Sequence, residues 1–423
     1  MPASDSLVRD PSLAPRGRQK IEWARTHMPV VGALESSVEF RECLGGLTVL
    51  VCCHLEAKTA RLAMALANAG ARVRVAGSNP LSTQDDVAAA LAEADGVSVY
   101  AWHGATSQEY DRFIEMALGD GVDLIMDDGG DVVAAVHTRC RHLLPRVIGG
   151  SEETTTGVVR LRAMHSSGEL AFPMYAVNDA QMKHLIDNRY GTGQSALDGI
   201  MRTTNLCIAG SCVVIAGYGQ VGRGLAARAR GLGARVIVTE VDPVAAFQAL
   251  MDGFEVMSME RAAGCGHIFI TATGCNRVIR GEHFKLMRDG AILANAGHFD
   301  VEISIGDLEA ECAGGPETVR ANIDAYTMPD GRRIYLLARG RLVNLAAADG
   351  HPVEIMDLSF ALQMACLSHM AKHGRALPKG VHSVPHDVDE MVARLVLDAR
   401  SIGIDALDDD QRAYLAAWQH GTC

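Results

Sequence analysis

The run Gly217-Tyr218-Gly219-Gln220-Val221-Gly222 constrains this chain more than any other feature, because of what flanks it. Ser211-Cys212-Val213-Val214-Ile215-Ala216 reads as a buried strand and residues 225–231 read as a helix, so the glycines sit at a strand-to-helix turn. There they allow a tight bend and close approach of backbone to a pyrophosphate, which the helix N-terminus favours. Glu240 ends the next strand, 23 residues beyond Gly217, and is followed by Val241 and Asp242 rather than by Arg. A carboxylate there accepts hydrogen bonds from ribose hydroxyls and repels a ribose phosphate, which selects NAD over NADP. Taken alone, the glycine run also fits an ordinary turn.

Further strands at 235–240, 267–271, 291–295 and 334–337 complete an NAD-binding Rossmann domain over residues 187–345. Upstream, apolar runs at 47–53, 71–75, 97–102 and 122–126 alternate with helical stretches, the first of them 54–68 with Gly70 as its stop. This predicts a substrate-binding lobe over 1–186, completed by about 346–386 where the chain is helical again and crosses back. A polar, helical stretch at 178–188 connects the lobes, and 387–423 is left as a C-terminal dimerisation segment. The fold class is therefore α/β, with two Rossmann-like doubly wound parallel-sheet lobes joined by a hinge, plus a small C-terminal segment. Residues 1–18 read as a loose leader, and 20–26 as a helix that Pro29 ends or kinks. Parallel sheets bind ligands at the carboxyl ends of their strands, where His54 and Asp127-Asp128-Gly129-Gly130 fall.

A chain of 423 residues exceeds one hydrophobic core, in keeping with two lobes. Its net charge of −12 and lack of Lys/Arg runs argue against nucleic acid and leave a small-molecule substrate. The 11 cysteines show no CxxC or His–Cys cluster, which predicts no metal and reduced thiols in a cytoplasmic protein. No signal-peptide pattern and no apolar stretch of about 18 residues is present, so no membrane association is expected.

The motifs His54-Leu55-Glu56-Ala57-Lys58-Thr59, Ser82-Thr83-Gln84-Asp85, Asp127-Asp128-Gly129-Gly130-Asp131, Ser151-Glu152-Glu153-Thr154-Thr155-Thr156-Gly157, Asn178-Asp179, Lys183 and Asp187-Asn188 come in this order. After the glycine run follow Gly297-His298-Phe299-Asp300, Gly340-Arg341-Leu342-Val343-Asn344 and Gly350-His351-Pro352. From about residue 17 to the end the chain resembles the S-adenosylhomocysteine hydrolases of the H-x-E-x-K type. The resemblance implies a tightly held NAD, a homo-oligomer (tetramer or dimer), and reversible hydrolysis of S-adenosyl-L-homocysteine to adenosine and L-homocysteine. A nicotinamide makes sense in a hydrolase because transient oxidation of the 3′-OH acidifies the 4′ proton and lets the thiol leave.

By that resemblance His54, Asp128, Lys183, Asp187 and His298 are catalytic. Lys183, with a lowered pKa, takes the 3′-OH proton beside Asp187, four residues on; Asp128 takes the 4′ proton; His54 handles protons at the 5′ position. Glu56, Lys58, Thr59, Glu153 and His351 join Lys183 and Asp187 in holding substrate, while Glu152 is structural. Thr154, Thr155, Thr156, Asn188, Gly217, Gly219, Gln220, Val221, Gly222, Glu240, Ala296, Gly297, His298 and Asn344 hold NAD.

Three departures stand out. Lys58 stands where many members have Glu or Gln; a donor-only ammonium suits an oxo group, so S-inosyl-L-homocysteine is the alternative substrate. Thr192 and Ala245 replace a Cys and an Asn common in the family, and the tail 414–423 lacks the Lys- and Tyr-bearing segment that reaches a neighbouring NAD. The glycine run alone would also permit a simple NAD-dependent dehydrogenase, or an NAD-responsive binding protein without catalysis.

Overall fold

The computed structural model describes residues 6–419. The chain first lays down β1 (Thr48–Cys53), β2 (Arg72–Gly77), β3 (Val97–Tyr100), β4 (Leu124–Asp127), β5 (Gly149–Glu152) and β6 (Pro173–Ala176). It then builds β7 (Cys212–Ala216), β8 (Arg235–Thr239), β9 (Glu255–Val256), β10 (Ile268–Thr271), β11 (Ala291–Asn295), β12 (Glu317–Arg320), β13 (Ile323–Thr327) and β14 (Arg333–Leu337). Finally β15 (Gly380–Ser383) returns to the first sheet, pairing parallel with β6.

The first sheet runs β15-β6-β5-β4-β1-β2-β3 and the second β12-β13-β14-β11-β10-β7-β8-β9. Both therefore reverse strand order between the first strand laid down and the fourth, at β1/β4 and at β7/β10, which is where doubly wound sheets open a ligand crevice. The central strands of both sheets are apolar on both faces. Val49, Val51 and Cys53 pack into one cluster while Leu50 and Cys52 pack into another on the opposite face. Val213 and Ile215 divide from Cys212 and Val214 in the same way. Helices thus cover both sides of each sheet, as continuous apolar strands require. The antiparallel hairpin of β12, β13 and β14 is the one departure from parallel order in the second sheet.

Residues 6–18 are not a loose leader. Leu7 bridges Tyr100 at the end of β3, and the helix Ala14–Thr26 begins six residues before the expected start. Its Ala14, Gly17, Ile21 and Ala24 are buried, against the helix Asp85–Leu91. Gly17 is needed: a Cβ there would stand 1.8 Å from the Asp86 carbonyl oxygen. Pro29 opens the following helix, Pro29–Ser36, at its first position. Residues 1–5 lie outside the described residues.

The chain leaves the first lobe through Met182–Gly191, a π-helix that runs directly into the helix Thr192–Thr204. It returns after Val343–Ala346 into the long helix Val353–His373, which packs on that π-helix, on Pro29–Ser36 and on β5. The next helix, His386–Ala399, lies against the long helix and buries Val388 and Val392 in the first lobe's core. From Arg400 to Ala416 every residue is exposed. No helix of the described residues is long and apolar enough to cross a membrane.

Candidate active site

A cavity of about 550 Å³ opens between the carboxyl ends of the two sheets. On the first-lobe side His54 follows β1 and Asp128 follows β4, the two strands flanking the switch in strand order. Ser82 donates its hydroxyl to the Asn79 carbonyl and sits 2.6 Å from His54 Nδ1, so that nitrogen carries the proton and Nε2 turns to Asp128, 3.5 Å away. Asp128 Oδ2 also accepts from Ser78 (3.0 Å) and from the Cys53 thiol (3.5 Å), whereas Oδ1 has no hydrogen bond. His298 reaches in from the other lobe, and the ligand atoms of His54, Asp128 and His298 lie within 4.8 Å of one another. Burial pushes the His54 pKa down against the pull of Asp128, keeping the imidazole neutral. Burial opposes the Asp128 charge, but His54 and His298 outweigh it and hold the carboxyl below its usual range.

The π-helix carries the second cluster. Lys183 Nζ lies 2.7 Å from Asp187 Oδ1 and 2.8 Å from Glu153 Oε1, with all three side chains buried. The wide turn still sets residues four apart on one face, and π-turns recur at functional positions. Asp187 does not line the cavity; it stands behind Lys183, within 3.2 Å of His351 Nδ1, and accepts from Ser359. Gln363 donates to Glu153, and Thr192 Oγ1 lies 3.0 Å from His351 Nε2. The lysine pKa is not lowered as expected. Burial disfavours the ammonium, but Asp187 and Glu153 overcome it and raise the pKa. The same contacts, against burial, drive Asp187 down, while burial dominates at Glu153 and pushes it up. The cluster is an ammonium between two carboxylates, with a net charge of −1.

Glu56 caps the helix Ala57–Asn68, accepting from the Lys58 and Thr59 amides, and its Oε2 lies 2.8 Å from Lys58 Nζ. Lys58 Nζ also donates to the Asp349 carbonyl at 2.7 Å, a contact that joins the lobes. Thr59 donates to the His54 carbonyl at 2.6 Å and so braces the turn after β1.

The second-lobe wall is formed by Gly219, Gln220, Val221, Ala296, Gly297, His298 and Asn344, and Thr154, Thr155, Thr156 and Asn188 face them from the first. Gly217, Gly222 and Glu240 do not line the cavity; they build the turn. Gly217 has φ +95°, and a Cβ on Gly222 would stand 2.0 Å from the Gly217 carbonyl oxygen. Glu240 turns to its own loop, accepting from the amides of Tyr218, Val241 and Asp242. Thr154 caps the helix Thr155–Ser166 by accepting from the Gly157 amide. Asn188 donates to Asn178 Oδ1 at 3.0 Å. Two buried acceptors, Gln220 Oε1 and Asn344 Oδ1, have no partner. Buried polar atoms are rarely left so, and NAD carries carboxamide and ribose hydroxyl donors of the kind these acceptors lack. The donor set therefore fits NAD.

Ser78, Ser82, Ser359 and Gln363 were not singled out from sequence as parts of the site. Ser82 stood in a quoted motif, but nothing local marks the other three.

A sequence profile described as "S-adenosyl-L-homocysteine hydrolase" matches residues 5–145, and one described as "S-adenosyl-L-homocysteine hydrolase, NAD binding domain" matches 188–350. The chain is 57% identical over 415 residues to a protein of Methanopyrus kandleri named S-inosyl-L-homocysteine hydrolase, covering 98% of each chain. It is 55% identical over 419 residues to the adenosylhomocysteinase of Pyrococcus abyssi, covering 99% of each. With the adenosylhomocysteinase of Aquifex aeolicus it shares 50% identity over 415 residues, 98% of this chain and 99% of that one.

Proposed function

The chain belongs to the S-adenosyl-L-homocysteine hydrolase family and is an NAD-dependent enzyme of that kind; from this premise we propose that its cavity hydrolyses S-adenosyl-L-homocysteine reversibly to adenosine and L-homocysteine. One observation carries the reading: Lys183 and Glu153, with Asp187 buried behind the lysine, share a single cavity with His54 and Asp128 and with the unpartnered acceptors Gln220 and Asn344.

The turn 217–222, the 154–156 segment, Asn188 and Asn344 would hold NAD, which when bound would supply temporary removal of a hydride from the 3′ carbon of the sugar. The 3′-OH proton is taken up by the Lys183 cluster. Lys183, already an ammonium, donates to the sugar oxygen, while the cluster's extra negative charge accommodates the incoming proton at Glu153, whose carboxyl burial already biases towards protonation. Asp128, whose carboxyl is held below its usual range and accepts from Ser78 and Cys53, takes the 4′ proton. The C5′–S bond then breaks as the 4′,5′ double bond forms; the proton taken from C4′ passes from Asp128 to His54 Nε2, 3.5 Å away, and on to the departing sulfur, after which His54 takes one from the incoming water. Closure of the lobes around the cavity, with Lys58 bonded across to Asp349, keeps bulk water from the intermediate ketone.

A second reading, S-inosyl-L-homocysteine as substrate, is favoured by Lys58. Its ammonium spends two donors on Glu56 and Asp349 and keeps a third. Glu56, committed to the helix N-terminus and to Lys58, offers adenine's amino group little. Side-by-side assay of both thioethers with a thiol reagent, NAD supplied, decides the base. Homocysteine release from neither would overturn the hydrolase reading itself. Release of stoichiometric NADH would instead indicate a simple dehydrogenase.

A homo-oligomer, tetramer or dimer, follows from the same reading. The helix Asp409–Ala416 buries none of its residues, and Leu415 and Trp418 are 69% and 88% exposed, a surface that a second copy would cover. Ten unpaired cysteines among the described residues support a reducing, cytoplasmic setting.

A further inference from the structure

Two buried carboxyls beside the site take no part in the steps above. Asp127 ends β4 and Glu152 ends β5, and the two are register partners on neighbouring parallel strands, both 0% exposed. Neither makes an ion pair among the described residues. Asp127 Oδ1 accepts from the Asp128 amide (3.1 Å) and Oδ2 from the Val133 amide (2.9 Å), which caps the helix Asp131–His137 in place of a side chain at Gly130. Glu152 Oε1 accepts from three donors: the Gly129 amide (2.9 Å), the Thr154 amide and the Thr154 hydroxyl (both 3.0 Å). Its Oε2 has no partner at all.

The charges facing the pair are Asp128 and Asp131, with the Cys52 thiol also close. Arg160 is taken up by Asp131 and the Gly129 carbonyl. What stabilises charge on the pair is therefore amide and hydroxyl dipoles alone. Two helix N-terminal turns contribute together at most about one elementary charge. That balances one carboxylate and leaves a second one buried and uncompensated, which such sites avoid by taking a proton.

We propose that Asp127 and Glu152 share one proton, and that Glu152 is a positioning residue which joins the Asp128 loop to the Thr154 segment. The connection is direct. One carboxyl oxygen holds Gly129, next to the 4′ base, and Thr154, at the cofactor side, so the two move together. Holding the pair's charge at −1 also keeps a third negative charge away from Asp128, which must be the ionised member to accept a proton from carbon. In agreement, burial and then the Asp127 carboxyl raise Glu152 well above the usual carboxylate range, while burial, with Asp131 and Asp128 adding to it, raises Asp127 to about 7. The inference rests on the hydrolase reading for its kinetic part only.

The test is Glu152→Gln against Glu152→Ala, in the NAD-loaded enzyme and in the protein stripped of cofactor. Glutamine keeps the oxygen that accepts from Gly129 and Thr154 and replaces the shared proton permanently. It should exchange the 4′ proton of the nucleoside with solvent within about threefold of wild type. Alanine should slow that exchange by tenfold or more while substrate still reduces bound NAD, seen by nicotinamide absorbance. Infrared difference spectra of the stripped proteins at pH 7.5 should show a protonated carboxyl stretch in wild type that Glu152→Gln lacks. No such band, or a glutamine variant as impaired as the alanine one, would overturn the proposal. Failure of wild type to reduce NAD with either thioether would count against the hydrolase reading and leave the infrared result standing.

Discussion

Replacing Lys183 by Met tests the ion cluster most severely. The lysine offsets one of the two charges on the buried carboxylates at 2.7 and 2.8 Å, and Met has similar length without charge. Removing one partner of a buried pair costs about 3–5 kcal/mol, which for a lobe of roughly 200 residues lowers the melting midpoint by about 6–20 °C. The sign of the pH dependence follows from the shifts. In wild type the raised pKa of Lys183 and the lowered one of Asp187 make their stabilisation flat from pH 5 to 8, since it is lost only above the unfolded lysine's range or below the unfolded aspartate's. In the variant Asp187 joins Glu153 in having a raised folded-state pKa. Stability carried by raised carboxyls is present at low pH and lost as pH rises, so the deficit should grow by up to about 1.4 kcal/mol per pH unit per group between pH 5 and 8. Differential scanning fluorimetry of the NAD-free protein across that range reads the effect. Adding Glu153→Gln and Asp187→Asn to Lys183→Met should recover most of the loss, because the uncompensated charges are gone. A deficit below about 2 °C, or one equal at pH 5 and pH 8, would refute the argument.

Three further outcomes follow from the site. Asp128→Asn should let substrate reduce bound NAD yet slow homocysteine release by about 10²–10⁴-fold, and comparable slowing of the absorbance change would show that Asp128 acts earlier. Lys58→Gln should shift the ratio of kcat/KM for inosyl over adenosyl substrate towards adenosyl by about tenfold or more, as an acceptor replaces a pure donor; an unchanged ratio places base recognition elsewhere. Gly222→Ala, whose methyl would stand 2.0 Å from the Gly217 carbonyl oxygen, should purify without NAD, checked by the cofactor released on denaturation.

The sheets were legible because their strands are buried on both faces and so appear as unbroken apolar runs; Ala291–Asn295 matches its expected span residue for residue. The opening six residues of the first helix were hidden for a related reason. Their contact face uses Ala14 and Gly17, which carry little apolar signal, and Pro15 suggests a coil. The sequence placed Lys183 and Asp187 on one face but gave no sign of the lysine's protonation state. That depends on Glu153, thirty residues away in the chain and 2.8 Å away in space. Ser359 and Gln363 were invisible because the helix Val353–His373 is buried on nearly every side and looks like core, with polar partners 172 and 210 residues upstream. The π-helical winding of Met182–Gly191 has no counterpart in side-chain periodicity over so short a span.

The closing strand β15 has a bearing on how the molecule comes into being. Its partner β6 is made more than two hundred residues earlier, and the long helix that completes the first core lies between the second lobe and that strand. On the ribosome, the nucleotide-binding half has all of its strands before the half that emerged first has its last one. The early half must wait with one flank of its sheet uncovered until the C-terminal strand emerges.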